Sequence, residues 1–119
     1  MRRNTGQHEP RVVVCLFDLT LWMMRTTNRF PKNWRVSLGD RIDNLVLKML
    51  LTAQSAGFRK EKLALLLELS EDLESLRTLT RLATELECIH GRQREYVARQ
   101  IDEIGKQVGG WIKQQTAKR

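Results

Sequence analysis

Histidine, cysteine, proline and tyrosine are all scarce in this chain: two, two, two and one residues respectively. Each shortage closes off a class of function. His8 and His90 stand without an acid or a nucleophile at a spacing that would orient them, so acid–base and nucleophilic chemistry lack their usual centre, and both read as solvated surface residues. Cys15 and Cys88 are too few and too far apart for a zinc site or a disulfide framework. Their apolar neighbours mark them as buried thiols of a cytosolic protein. Three Phe, three Trp and one Tyr leave little aromatic surface for stacking on bases. No glycine-rich phosphate loop follows a strand pattern. Long hydrophobic runs are missing too. The stretch from Val12 to Met24 is interrupted by Asp18 and falls short of the ~18 residues that span a bilayer. Arg2 and Arg3 precede it, but the polar segment Asn4 to Pro10 intervenes and no small-residue cleavage site follows, so it is not read as a signal peptide. A cytoplasmic protein with no membrane contact and no cofactor is expected.

What the chain does contain is charge of one sign and helical periodicity. At 119 residues and 13.9 kDa it is sized for one domain, too small for two catalytic lobes around a cleft. An apolar fraction of 41% argues against disorder along the whole chain. The net charge is +7 and the isoelectric point near 10.0. Residues 1–60 hold 11 bases and 4 acids, residues 61–119 ten of each, so the whole surplus lies in the first half. Such a surplus suits a polyanionic partner.

Pro10, Pro31, Gly57 and Gly91 divide the chain into segments 11–30, 32–56, 58–90 and 92–119, each long enough for a helix. Ile42, Leu45, Met49, Ala53 and Ala56 line one face of the second segment. Leu69, Leu73, Leu76, Leu79, Ala83 and Leu86 do so in the third, and Val97, Ile101, Ile104, Val108 and Trp111 in the fourth. Ser37-Leu38-Gly39-Asp40 reads as a capping box opening the second helix. Val12-Val13-Val14 favours a strand locally, but a lone strand has no partner here, so the first segment is assigned to helix by context. The fold class is therefore all-α, an antiparallel four-helix bundle over residues 11–113, with a polar tail at 1–10 and a basic tail at 114–119. Leu47, Leu51, Leu65 and Leu66 widen the apolar band, which fits either a broad core or a second face buried between subunits. Gly105, Gly109 and Gly110 each cost roughly 1 kcal/mol in a helix interior. Close packing against another backbone or a bulky side chain is the expected reason, since Trp111 and Ile112 resume the apolar pattern.

Arg25, Arg29, Lys32 and Arg35 follow one another with no acid among them, and Phe30 and Trp34 are interleaved. Cations beside aromatic faces suit single-stranded nucleic acid; alternatively the two rings pin the turn around Pro31 into the core. Arg41 and Lys48 lie two turns apart, and Arg77 and Arg81 one turn apart. Glu74 is spaced to pair with Arg77 and Glu85 with Arg81, while Arg99 has Glu95, Asp102 and Glu103 within reach, which weakens these as phosphate contacts. Glu68, Glu71 and Asp72 could share a helix face as a cation site, but no Glu-x-x-His accompanies them, and a solvated face is the stronger reading.

Three stretches carry a resemblance: Phe30-Pro31-Lys32-Asn33-Trp34-Arg35-Val36-Ser37-Leu38-Gly39-Asp40-Arg41-Ile42, Leu73-Glu74-Ser75-Leu76-Arg77-Thr78-Leu79-Thr80-Arg81-Leu82-Ala83, and Ile101-Asp102-Glu103-Ile104-Gly105-Lys106-Gln107-Val108-Gly109-Gly110-Trp111-Ile112-Lys113. In that order, over about residues 12–113, they resemble the accessory variability determinant proteins of diversity-generating retroelements. That family is related to the four-helix-bundle proteins encoded in ribosomal intervening sequences. Where the ribosomal relatives carry a glutamine- and arginine-rich stretch ending in asparagine-isoleucine-alanine-glutamate, this chain has Leu38-Gly39-Asp40-Arg41, which favours the retroelement branch. The resemblance implies a barrel-like homopentamer with a basic surface that binds RNA or DNA and a reverse transcriptase during mutagenic copying. It points to Arg35, Arg41, Arg77 and Arg81 for anion contacts and to Gly105, Gly109 and Trp111 for packing. Beside it stand two rivals: an interaction module whose Arg25, Arg29 and Arg35 dock an acidic protein, and a metal-dependent enzyme built on Glu68, Glu71 and Asp72.

Overall fold

The computed structural model describes residues 10–117. The expectation for His8 therefore lies outside the described residues. Five α-helical pieces follow in order: α1 (Arg11–Thr27), α2 (Lys32–Trp34), α3 (Asp40–Phe58), α4 (Leu63–Glu85) and α5 (Arg92–Ala117), with a π-helical turn, Arg35–Gly39, between α2 and α3. Backbone angles stay right-handed from Trp34 through Asp40, so α2, the π turn and α3 form one continuous rod, and the described residues form four rods. No strand occurs among the described residues. The valine run Val12-Val13-Val14 is helical, because Val12 and Val13 enter the core rather than a sheet.

The two prolines sit where their missing N–H costs nothing. Pro10 and Pro31, both extended at ψ near 141–143°, immediately precede α1 and α2, and their carbonyls accept the first helical amides. The second rod thus starts at Lys32, and the expected capping box does not form. Ser37 is exposed in the middle of the π turn, and no side chain caps Asp40 because the helix has no free end there. Gly57 is not a breaker either: α3 runs through it to Phe58, and it lies against Pro10, 3.3 Å from where a Cβ would stand.

The α4–α5 connection turns on two left-handed residues, Glu87 (φ 63°) and Gly91 (φ 58°). Glu87 N–H donates to Thr84 O at 3.0 Å and Cys88 N–H to Ala83 O at 2.8 Å, a Schellman closure with buried Cys88 and Ala83 at its apolar contact. Burial pushes the Cys88 thiol up in pKa and keeps it protonated. Cys15 is only partly buried.

The rods close a ring in the order α1, α3, α4, α5 and back to α1, each packing on the next. Neighbours run antiparallel: Thr20 Oγ1 donates to Val46 O and Thr27 Oγ1 to Asp43, while on the other side Cys15 meets Gln107 and Trp22 packs at a tilt against Tyr96 with centroids 4.7 Å apart. Leu16, Leu19, Met23, Ile42, Met49, Leu69, Leu76, Ile101 and Ile104 fill the core completely shielded from water. The expected apolar faces supply it, with Val46 taking the inner place and Leu45 staying half-buried. Of the extra leucines, Leu66 is core and Leu65 half-buried, but Leu47 and Leu51 are exposed. The helix α5 continues past residue 113 to Ala117.

Gly105, Gly109 and Gly110 contradict the close-packing expectation. A Cβ at any of them would meet nothing within 4 Å in the chain. Gly109→Ala should therefore stabilise the fold by about 0.5–1 kcal/mol through helix propensity. Glu87→Gly should also stabilise, by ~1 kcal/mol, because it removes the left-handed strain of a side-chain-bearing residue. Urea unfolding monitored by circular dichroism measures both; a loss of stability in either variant contradicts the geometry described.

Candidate nucleic-acid interface

The antiparallel ring puts the end of α1, the start of α3, the end of α4 and the start of α5 at one end of the bundle. All seven cations expected to contact anions belong to these parts of the chain, and all are exposed. They divide into two patches on opposite sides.

The first patch surrounds the α1–α2 turn. Arg25 leaves the last turn of α1, Arg29 and Lys32 flank Pro31, Arg35 opens the π turn, and Arg41 lies in the first turn of α3. Arg25 and Arg35 line a groove of about 510 Å³ with Leu21, Met24, Val36, Asp40 and Asp43. Arg35 Nη1 donates to Asn28 O at 3.2 Å, which holds the guanidinium against the turn. Among the described residues, none of these five cations has a carboxylate within ion-pair distance. Phe30, however, is buried and Trp34 half-buried against the core. The rings pin the turn, so Phe30 offers no stacking surface.

The second patch lies in the groove between α4 and α5, lined by Arg77, Thr80, Arg81, Thr84, Glu85 and Arg94. Arg77 is committed: its Nη1 donates to Asp102 at 2.9 Å and its Nε lies 3.5 Å from Glu74. The Glu74 partner is the one expected from helical spacing, whereas Asp102 is reached across the α4–α5 seam. Glu85 shares the groove with Arg81 but forms no ion pair with it, and Arg99 has none with Glu95, Asp102 or Glu103. Arg94 is a cation that the reading of the sequence passed over. Nothing in its own neighbourhood singles it out, because its proximity to Arg81 comes from the register of α5 on α4.

Acids elsewhere are used for structure. Lys48 Nζ sits 3.0 Å from both Glu68 and Asp72, bridging α3 to α4, and these contacts, Glu68 first, raise its pKa. Two of the three carboxylates considered for a cation site are thus spent on an ammonium, and among the described residues no cluster of His, Cys, Asp and Glu is placed to hold a metal ion. His90 is exposed beside the Gly91 turn. No helix among the described residues is long and apolar enough to cross a membrane.

Asp43 lies half-buried in the first patch. Its carboxylate accepts a 2.6 Å hydrogen bond from Thr27, but burial pushes its pKa up, the hydrogen bond counteracts this, and Asp40 adds to the rise. A raised folded-state pKa means that the folded state holds the proton more tightly, so this group's contribution to stability falls as pH climbs from the ordinary carboxylate value through the raised one. Asp43→Asn, which keeps an acceptor for Thr27, should flatten that acidic limb and raise the melting temperature at neutral pH. A thermal melt series across mildly acidic pH checks it, and an unchanged slope rules the assignment out.

These features define an all-α four-helix bundle with cation patches at one end and no assembled catalytic constellation among the described residues. The family model described as bAvd-like matches residues 15–115, and the chain belongs to that family, consistent with the accessory variability determinant proteins its motifs resemble. No curated protein matches the chain.

Proposed function

We propose that the protein is a non-enzymatic, cytoplasmic accessory factor of a diversity-generating retroelement, which binds RNA or cDNA and a partner reverse transcriptase during mutagenic retrohoming, and that it works as a homopentamer. The observation that carries this reading is the set of exposed cations without carboxylate partners, Arg25, Arg29, Lys32, Arg35, Arg41 and Arg81, gathered at one end of a bundle of the bAvd-like family. Cations on a helical frame meet phosphates without ordering the backbone and release counterions as they do so. With the aromatic rings turned inward, binding rests on the backbone and carries little base specificity. Five copies of a chain of +7 would sum to about +35, a field that draws polyanions toward the assembly.

Fluorescence anisotropy with a labelled RNA and a labelled single-stranded DNA tests this. Affinity should fall roughly tenfold or more from low to physiological salt, and the slope of log affinity against log salt should shrink by about 1 for each contact removed. Arg29→Ala and Lys32→Ala should each show that loss, whereas Arg77→Ala, whose charge is already paired, should change the slope less. No complex with either polymer at low salt would overturn the nucleic-acid role. It would favour the rival reading, an oligomeric interaction module of the ribosomal intervening-sequence type without a reverse transcriptase partner, in which Arg25, Arg29 and Arg35 grip an acidic protein.

A further inference from the structure

The end of the bundle away from the two patches has what they lack, an aromatic ring in solvent beside cations. The antiparallel ring gathers the start of α1, the end of α3, the start of α4 and the end of α5 there. Pro10 lies against Gly57, and Lys62 Nζ sits 4.9 Å from the centre of the Trp111 ring, so all four parts of the chain meet. From Arg41 to Phe58 along α3 is about 25 Å at 1.5 Å per residue, which separates this end from the first patch.

Phe58, the last residue of α3, is 82% exposed, against 4% for Phe30 in the first patch. Directly after it Arg59 is extended (φ −96°, ψ 147°), so the chain leaves the rod and both Arg59 and Lys60 are exposed next to the ring. Arg11, which opens α1, and Lys113 of α5 are exposed as well. Among the described residues, Arg11, Arg59, Lys60, Lys62 and Lys113 have no carboxylate within ion-pair distance. Glu61 is the one acid between α3 and α4. Trp111, half-buried beside Lys62, lines a groove of about 400 Å³ with Arg11, Gly110 and Gln114. Gly110 keeps the groove open, since a Cβ there would meet nothing within 4 Å.

A ring and cations in one place match the two chemical parts of an unpaired nucleotide, a flat base and a phosphate. A duplex offers the phosphates alone, because its bases are already stacked and taking one out costs energy. We infer that this end is a second nucleic-acid site, selective for single strands: Phe58 stacks on an unpaired base, Arg59 and Lys60 neutralise its phosphates, and Arg11 and the Trp111 groove continue the site. The inference rests on the nucleic-acid part of the proposed function and goes beyond it. The cations around Pro31 bind phosphates of either form, whereas the far end distinguishes single from double strands.

Two measurements on the full chain test this. Oligothymidylate carrying 5-iodouracil is irradiated with the wild-type protein and the crosslinked peptides are mapped by mass spectrometry; crosslinks should fall on Phe58 or Trp111. Anisotropy then compares a short oligothymidylate with a blunt duplex of equal length, in a protein carrying Arg29→Ala and Lys32→Ala to weaken the first patch. Adding Phe58→Ala should lower affinity for the single strand by about fivefold or more and leave the duplex unchanged. Circular dichroism checks that the helices remain. Crosslinks confined to the first patch overturn the inference, as does a single-strand affinity that ignores Phe58→Ala. If that variant instead loses binding to vesicles of phosphatidylcholine and phosphatidylserine, or only lowers the assembly mass, the ring serves a membrane or a subunit contact and the inference falls. Binding that persists but ignores Phe58 leaves the proposed function standing, whereas no complex with any polymer removes both.

Discussion

Four helices, each apolar along one side, can remove those sides from water together only by closing a ring, and the closure dictates what every other residue can do. Leu16 and Met23 of α1, Ile42 and Met49 of α3, Leu69 and Leu76 of α4, and Ile101 and Ile104 of α5 meet in one core. Each fully buried side chain of this size contributes roughly 1.5–3 kcal/mol against water. Polar contacts between the rods are sparse and partly solvated by comparison. Rotation of each helix about its own axis is therefore set by the core, and the charged residues take whatever positions that rotation leaves.

This order of causes explains the electrostatics. Lys48 reaches Glu68 and Asp72 because α3 and α4 are already in register, and Arg77 reaches Asp102 because α4 and α5 are. The same constraint leaves Arg25, Arg29, Lys32, Arg35 and Arg41 around a turn that contributes no acids between Arg25 and Arg35, and none of the five forms an ion pair among the described residues. Phe30 and Trp34, which alternate with those cations in sequence, are drawn inward by the same apolar force. Cations and rings that are interleaved along the chain end on opposite sides of the turn.

Much of the fold was readable in advance. The apolar period of 3.6, the prolines before α1 and α2, and the left-handed glycine before α5 are local signals that act within a few residues. Sequence and structure part where a local signal has two physical outcomes. Ser37 to Asp40 matches a capping box, but capping needs a free helix end, and the rod had already begun at Lys32. Gly57 suggests a terminator, but a glycine inside a helix costs only about 1 kcal/mol, which the burial of Ala53 and Ala56 outweighs. Glu87, not a glycine, ends α4 in the left-handed region, because Cys88 and Ala83 gain burial from the closure.

Length, composition and periodicity by themselves determined a one-core helical bundle with a surplus of cations in its first half, since helix formation and burial of a stripe depend on spacing along the chain. Only the tertiary structure decided that Leu66 is core while Leu47 and Leu51 face outward, that Arg77 is neutralised by a residue 25 positions away, and that Arg94 joins Arg81 in a groove. Those outcomes turn on the relative rotation and register of separate helices. Such quantities have no local signature, because they come from packing all four faces at once.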